Sequence, residues 1–181
     1  MAKLADRTYG QALFDLSVEE GKVDEYAEQV RFIARAFEEN PQLLELLNHP
    51  QITREEKLEV LTNCFSGRVA DDLTGFLVII VKAGRQNFIP GIFEYFLDAV
   101  KEYKHIGVAH VTSAVALSQA QQSALEKRLL DTTDYVDFEM HFNVDASLIG
   151  GMVIRIGDKV VDSSIKTKLE TLSRKLMKVQ L

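Results

Sequence analysis

The stretch Ser147–Asp162, SLIGGMVIRIGDKVVD, constrains the fold more than any other in this chain. It predicts a strand, a tight turn and a second strand. Met152, Ile154 and Ile156 alternate with Val153 and Arg155, the period of a strand with two unlike faces. Gly157-Asp158 supplies a two-residue loop, where a Gly at the first central position permits the positive φ that hairpin twist requires, and Lys159 to Val161 resume the strand. Gly150-Gly151, just before, predicts a bulge or a close backbone approach that leaves no room for a Cβ. The pair also admits a phosphate cradle. The structural reading is favoured, because the glycines precede a strand instead of opening a helix and neither GxGxxG nor GxxxxGK[ST] occurs.

The chain's 181 residues suffice for one large domain or two small ones with modest cores. A formal net charge of −6 argues against general nucleic-acid binding, which needs a basic surface to displace counterions. The single cysteine, Cys64, excludes an intramolecular disulfide and any CxxC metal site, which fits a reducing compartment; it reads as a small apolar helix residue. The opening MAKLADRTYGQALFDL carries acids from residue 6 and lacks an uninterrupted apolar core, so it supports neither export nor an Arg-rich transit peptide. The most apolar run, Phe76 to Val81, is far shorter than the roughly 20 residues that span a bilayer.

Helical spacing dominates the first hundred residues. Leu4, Ala5, Thr8, Ala12 and Leu16 recur at three- and four-residue steps over residues 3–20, and Tyr9, Leu13 and Phe14 widen the apolar arc. So wide an arc predicts two contact surfaces, one for the core and one left over. Gly10 costs this helix about 1 kcal/mol relative to Ala, and marks either a close approach by another helix or simple tolerance. A second helix runs from about Val23 to Glu39. Asn40-Pro41 stops it and starts a short Leu-rich third, with Asn as cap and Pro at the first helical position. Thr53-x-x-Glu56 has capping-box spacing and opens a fourth helix. Residues 69–83 make the most apolar helix, central to a bundle or shared with a partner, and Gly84 stops it. A sixth, through Ile92, Phe93, Phe96, Leu97 and Val100, ends near Lys104. Six short helices with short connections predict an α-helical bundle over residues 1–105.

The period changes at Ile106-Gly107. Val108 to Val115 reads as a strand, Ser118-x-x-Gln121 as a capping box opening a helix through Leu125, Leu129 and Leu130, and the segment Tyr135 to Val144 as another strand. The hairpin follows, then a terminal helix from about Ser164. Its Ile165, Leu169, Leu172, Leu176 and Val179 form an a/d-like stripe. The fold class is therefore α+β, a helical bundle followed by a small α/β unit over residues 106–181.

Catalytic chemistry finds little support. His49, His105, His110 and His141 make no HExxH and no spacing that puts two on one helical face, so no metal or cofactor is expected. Acid pairs such as Glu38-Glu39 and Asp71-Asp72 sit at helix ends, where solvation and the helix dipole account for them. No GxSxG elbow or Cys-His pairing is visible. Lys166, Lys168, Arg174, Lys175 and Lys178 give the last helix a positive bias, which suits either a helix C-terminus or an acidic partner helix.

Several runs resemble the delta subunit of F-type ATP synthases, whose mitochondrial form is the oligomycin-sensitivity-conferring protein. Arg7 to Phe14 (RTYGQALF) is similar to that family's opening helix. Phe76-Leu77 through Ala83-Gly84-Arg85, then Ile92 to Phe96, resembles its fifth and sixth helices, and Val111 to Ala114 its first strand. The most specific piece is Leu148 to Asp162 with Ser164-Ile165 and Leu169. The chain departs from the family at Gly10, usually Ala, at Ser163, usually Gly, and at Lys166-Thr167-Lys168, usually Arg-Gly-Arg.

The resemblance implies a non-catalytic stator connector. Its bundle would receive the amphipathic N-terminal segment of an alpha subunit in a groove between the first and fifth helices, and its C-terminal part would hold the end of the b-subunit stalk. The two apolar stripes with this resemblance nominate Tyr9, Ala12, Leu13, Leu16, Phe76, Ile79, Ile80 and Ala83 for alpha. For the b stalk they nominate Leu172, Arg174, Lys175 and Leu176. The implied setting is one copy per complex, peripheral, on the cytoplasmic face of a bacterial cell membrane. The alternatives are a free-standing adaptor that binds some other amphipathic helix, and an enzyme using Gly150-Gly151 as a phosphate site.

Overall fold

In a computed structural model, which describes residues 2–179 and the side chains of residues 4–177, the chain divides into two compact units, Met1–Val100 and Lys101–Leu181. The first holds α1 (Ala2–Glu19), α2 (Val23–Glu39), α3 (Pro41–Asn48), α4 (Arg54–Phe65), α5 (Asp71–Lys82) and most of α6 (Ile89–Tyr103). Apolar spacing dictates which face of each helix turns inward. Tyr26, Val30, Ile33 and Phe37, at steps of four, three and four, are the buried face of α2. Ile89, Ile92, Phe93, Phe96 and Val100 are that of α6. Leu47, Leu61, Phe65, Leu73 and Leu77 join them in one continuous core, each gaining roughly 1.5–3 kcal/mol by leaving water.

Local signals set the helix ends. The Thr53 hydroxyl accepts from the Glu56 amide at 3.3 Å while the Glu56 carboxylate accepts from the Thr53 amide at 2.9 Å, closing the box at the start of α4. Ser118 and Gln121 repeat this at the next such site. Asn40 departs from expectation. It makes no side-chain cap for α3; its amide turns back and donates to the Ala36 carbonyl at 2.9 Å, so it closes α2 instead. Pro41 alone starts α3.

The second unit contains β1 (Ile106–Ser113), α7 (Gln119–Thr132), β2 (Asp137–Val144), β3 (Met152–Ile156), β4 (Lys159–Asp162) and α8 (Ile165–Val179). The sheet order is β2-β1-β3-β4. β1 and β2 are parallel, joined through α7, whereas β1–β3 and β3–β4 are antiparallel. Ile156 pairs with Lys159 across Gly157-Asp158, with φ +54° at Gly157, which is the hairpin that the sequence predicts.

Register sorts the sheet into two faces. Ala109 and Val111, both buried, stand beside Met140 and Phe142 of β2 and Ile156 and Ile154 of β3. On the other face, His110 pairs with His141 and Arg155. The two imidazoles stack with centroids 4.9 Å apart. Glu139 on the same face is held by Lys101 Nζ and His141 Nε2, each at 2.9 Å.

Candidate functional site

The surface between α1 and α5 is built from two neighbouring apolar stripes. Tyr9 on α1 meets Phe76 on α5 edge to face, with ring centroids 6.4 Å apart. Around this contact Leu16 is half-buried, while Ala12, Ala83 and Ile79 are exposed, Ile79 by 58%. The other two nominated residues are placed elsewhere. Leu13 (1% exposed) and Ile80 (0%) lie in the core and hold the two helices, so they are supports beneath the surface and not contacts on it. The reason is helical geometry. Consecutive residues point about 100° apart, so Ala12 and Leu13, like Ile79 and Ile80, straddle the boundary between open face and core.

One residue that sequence reasoning missed completes this surface. At the end of α5 the Gly84 amide donates to the Val81 carbonyl at 2.9 Å and the Arg85 amide to the Ile80 carbonyl at 3.0 Å, a Schellman turn that needs the φ of +68° at Gly84. The chain reverses there, and the Arg85 guanidinium comes to lie 5.2 Å from the centre of the Tyr9 ring. The stop signal at Gly84 is legible in the sequence; what the next side chain covers is not. Chemically the surface is an apolar shoulder with a cation at one end, suited to holding a helix.

In the second unit α8 presents a separate surface. Ile165, Leu169, Leu172 and Leu176 follow steps of four, three and four and are all exposed, Leu172 by 56% and Leu176 by 70%. α8 begins on the Ser164 hydroxyl, which accepts from the Thr167 amide at 3.3 Å, and packs on the short 3-10 turn Ala146–Leu148. Arg174 pairs with Glu170 one turn back at 3.6 Å, and Lys175 is exposed. The side chains of Lys178 and Val179 lie outside the described residues.

The Gly150-Gly151 pair has its space filled by the chain itself. A Cβ on Gly151 would lie 2.5 Å from the Ser163 carbonyl oxygen, and one on Gly150 2.6 Å from Ile165 Cδ1. The Gly150 carbonyl accepts from the Ile165 amide at 2.9 Å. This is a close backbone approach at the β4–α8 junction, which accounts for the absence of a Cβ at Gly151.

Residues 5–176 match the family model described as ATP synthase delta (OSCP) subunit. The chain belongs to the ATP synthase delta (OSCP) family. It is 55% identical over the full length of both chains to an ATP synthase subunit delta from Lachnoclostridium phytofermentans. To that of Desulforamulus reducens it is 36% identical, with 94% of each chain covered. A chain of the Toxoplasma gondii mitochondrial ATP synthase hexamer has the same fold, with a TM-score of 0.74, 18% identity, and coverage of 95% of this chain and 97% of that one. Among the described residues no helix is long and apolar enough to cross a membrane.

Proposed function

We propose that this delta-family chain is the connector of the peripheral stalk in an F-type ATP synthase. It catalyses nothing itself. It links the catalytic head to the b-subunit stalk of the membrane sector, so that proton-driven rotation of the rotor does work on the head instead of turning it. One copy serves each complex, held at the cytoplasmic face of a bacterial membrane through its partners.

The observation that carries the connector role is the Tyr9–Phe76 contact with Ala12, Ile79 and Ala83 open around it. An amphipathic N-terminal segment of an alpha subunit would lay its apolar face there, in the helix-in-groove mode. Two surfaces in separate units suit a link between two bodies, and the exposed α8 stripe with Leu172, Leu176, Arg174 and Lys175 would take the end of the b stalk.

Titration calorimetry with a synthetic alpha N-terminal peptide tests the first surface. Ala12→Asp or Ile79→Asp should abolish binding while far-UV circular dichroism stays that of the parent, since both side chains are exposed. Unchanged affinity would remove the groove from consideration. For the second surface, a chain truncated before Ser173 should lose the b stalk in co-purification; retention of b would count against α8.

A further inference from the structure

We infer that the helical unit carries a second docking groove, between α2, α3 and α6, that takes a basic amphipathic helix of a partner polypeptide. The groove has a volume of about 1060 Å³. Phe37 and Phe93, both buried, form its floor, and half-buried Leu44 and Leu97 form its sides. It shares no residue with the α1–α5 surface, so the inference stands independently of the proposed function.

Charge selects the occupant. Each of the three helices contributes one carboxylate to the rim, Glu38 from α2, Glu45 from α3 and Glu94 from α6. Among the described residues no Lys or Arg lines the groove, and His49 is its only other titratable side chain. Three like charges around an apolar trough repel one another and attract a segment that brings cations with its apolar face. A helix with apolar anchors at i, i+3 or i+4 and i+7, flanked by Lys or Arg, meets all these conditions.

The test uses the full chain and two synthetic amphipathic peptides of the same leucine pattern, one with lysine and one with glutamate on the polar face. The lysine peptide should bind, with NMR amide shifts centred on Leu44, Glu45, Glu94 and Leu97, and the glutamate peptide should not. Glu45→Lys with Glu94→Lys should weaken binding at least tenfold. Both sites are exposed, so the fold should survive, which thermal melting checks. Ala12→Asp should leave this binding unchanged, which separates its failure from that of the alpha groove. Absence of binding, equal binding of the two peptides, shifts centred on α1 and α5, or indifference to the charge reversals would each overturn the inference. So would concentration-dependent dimerisation in sedimentation that the reversals abolish, since the occupant would then be a second copy of this chain.

Discussion

Tyr95 on α6 lies so close to Gly10 on α1 that a Cβ built on Gly10 would stand 2.6 Å from Tyr95 Cδ1 and 3.0 Å from the Ile92 carbonyl oxygen. The Tyr95 hydroxyl donates to Gln11 Oε1 at 3.1 Å, which fixes the ring in that position. Gly10 therefore marks a close helix approach. Alanine is the better helix former by about 1 kcal/mol, yet overpacking costs about 1–3 kcal/mol, and a backbone carbonyl cannot swing aside. Gly10→Ala should lower urea stability by about 1 kcal/mol net, and should cost less in a Tyr95→Ala background. A Gly10→Ala chain at least as stable as the parent would refute the fit.

Tyr26 ties the start of α2 to the start of α5. Its ring is buried, and its hydroxyl has Glu20 Oε2 at 3.1 Å and Asp72 Oδ2 at 3.3 Å as acceptors. Burial first, and then the two carboxylates, push its ionisation well above the usual phenol range, so it remains a donor. Tyr26→Phe should cost about 1–2 kcal/mol in chemical denaturation. In spectrophotometric titration the parent should show a tyrosine component that ionises only on unfolding and that Tyr26→Phe lacks. Identical titrations of the two chains would contradict the buried donor.

Gly151 and Gly157 both have positive φ, +78° and +54°, but their surroundings differ. An added Cβ meets the Ser163 carbonyl at Gly151 and open space at Gly157. Gly157→Ala should cost only the left-handed strain, about 1–2 kcal/mol. Gly151→Ala adds a collision with backbone and should destabilise the second unit by more than about 2 kcal/mol. Equal losses in thermal melting would mean that the β4–α8 junction can yield.

Glu139 should give the sheet an acid-sensitive component. Lys101 first, with help from His141, holds its carboxyl below the usual 4.5. A carboxylate lowered on folding stabilises fully above its unfolded pKa and loses that contribution as pH falls through the folded value. The melting-temperature gap between the parent and Glu139→Gln should therefore be open at neutral pH and close in acid. Added salt should shrink it at neutral pH, because the pair is partly solvated. A gap independent of pH would sever Glu139 from the acid response.

Much of the structure was legible in short-range patterns. Period-four and period-three apolar steps in α2 and α6, the boxes at Thr53 and Ser118, and Gly157 in its hairpin all act between residues a few positions apart, where backbone geometry alone decides the outcome. Asn40 escaped because its local signal serves two helices equally well, and only its turned-back amide shows which one it closes.

Of the α1–α5 surface, the stripes were readable and the exposed residues were not. Sequence by itself determined that α1 and α5 carry more apolar surface than one face needs. The tertiary structure decided that Leu13 and Ile80 turn inward while Ala12 and Ile79 remain open, and that Arg85 covers Tyr9. It also decided the order β2-β1-β3-β4, and gathered Glu38, Glu45 and Glu94, which the chain keeps on three helices, around one trough. The physical reason is range. Helix, turn and cap preferences are settled within one or two turns of chain, whereas burial and charge apposition depend on which distant elements the hydrophobic core draws together.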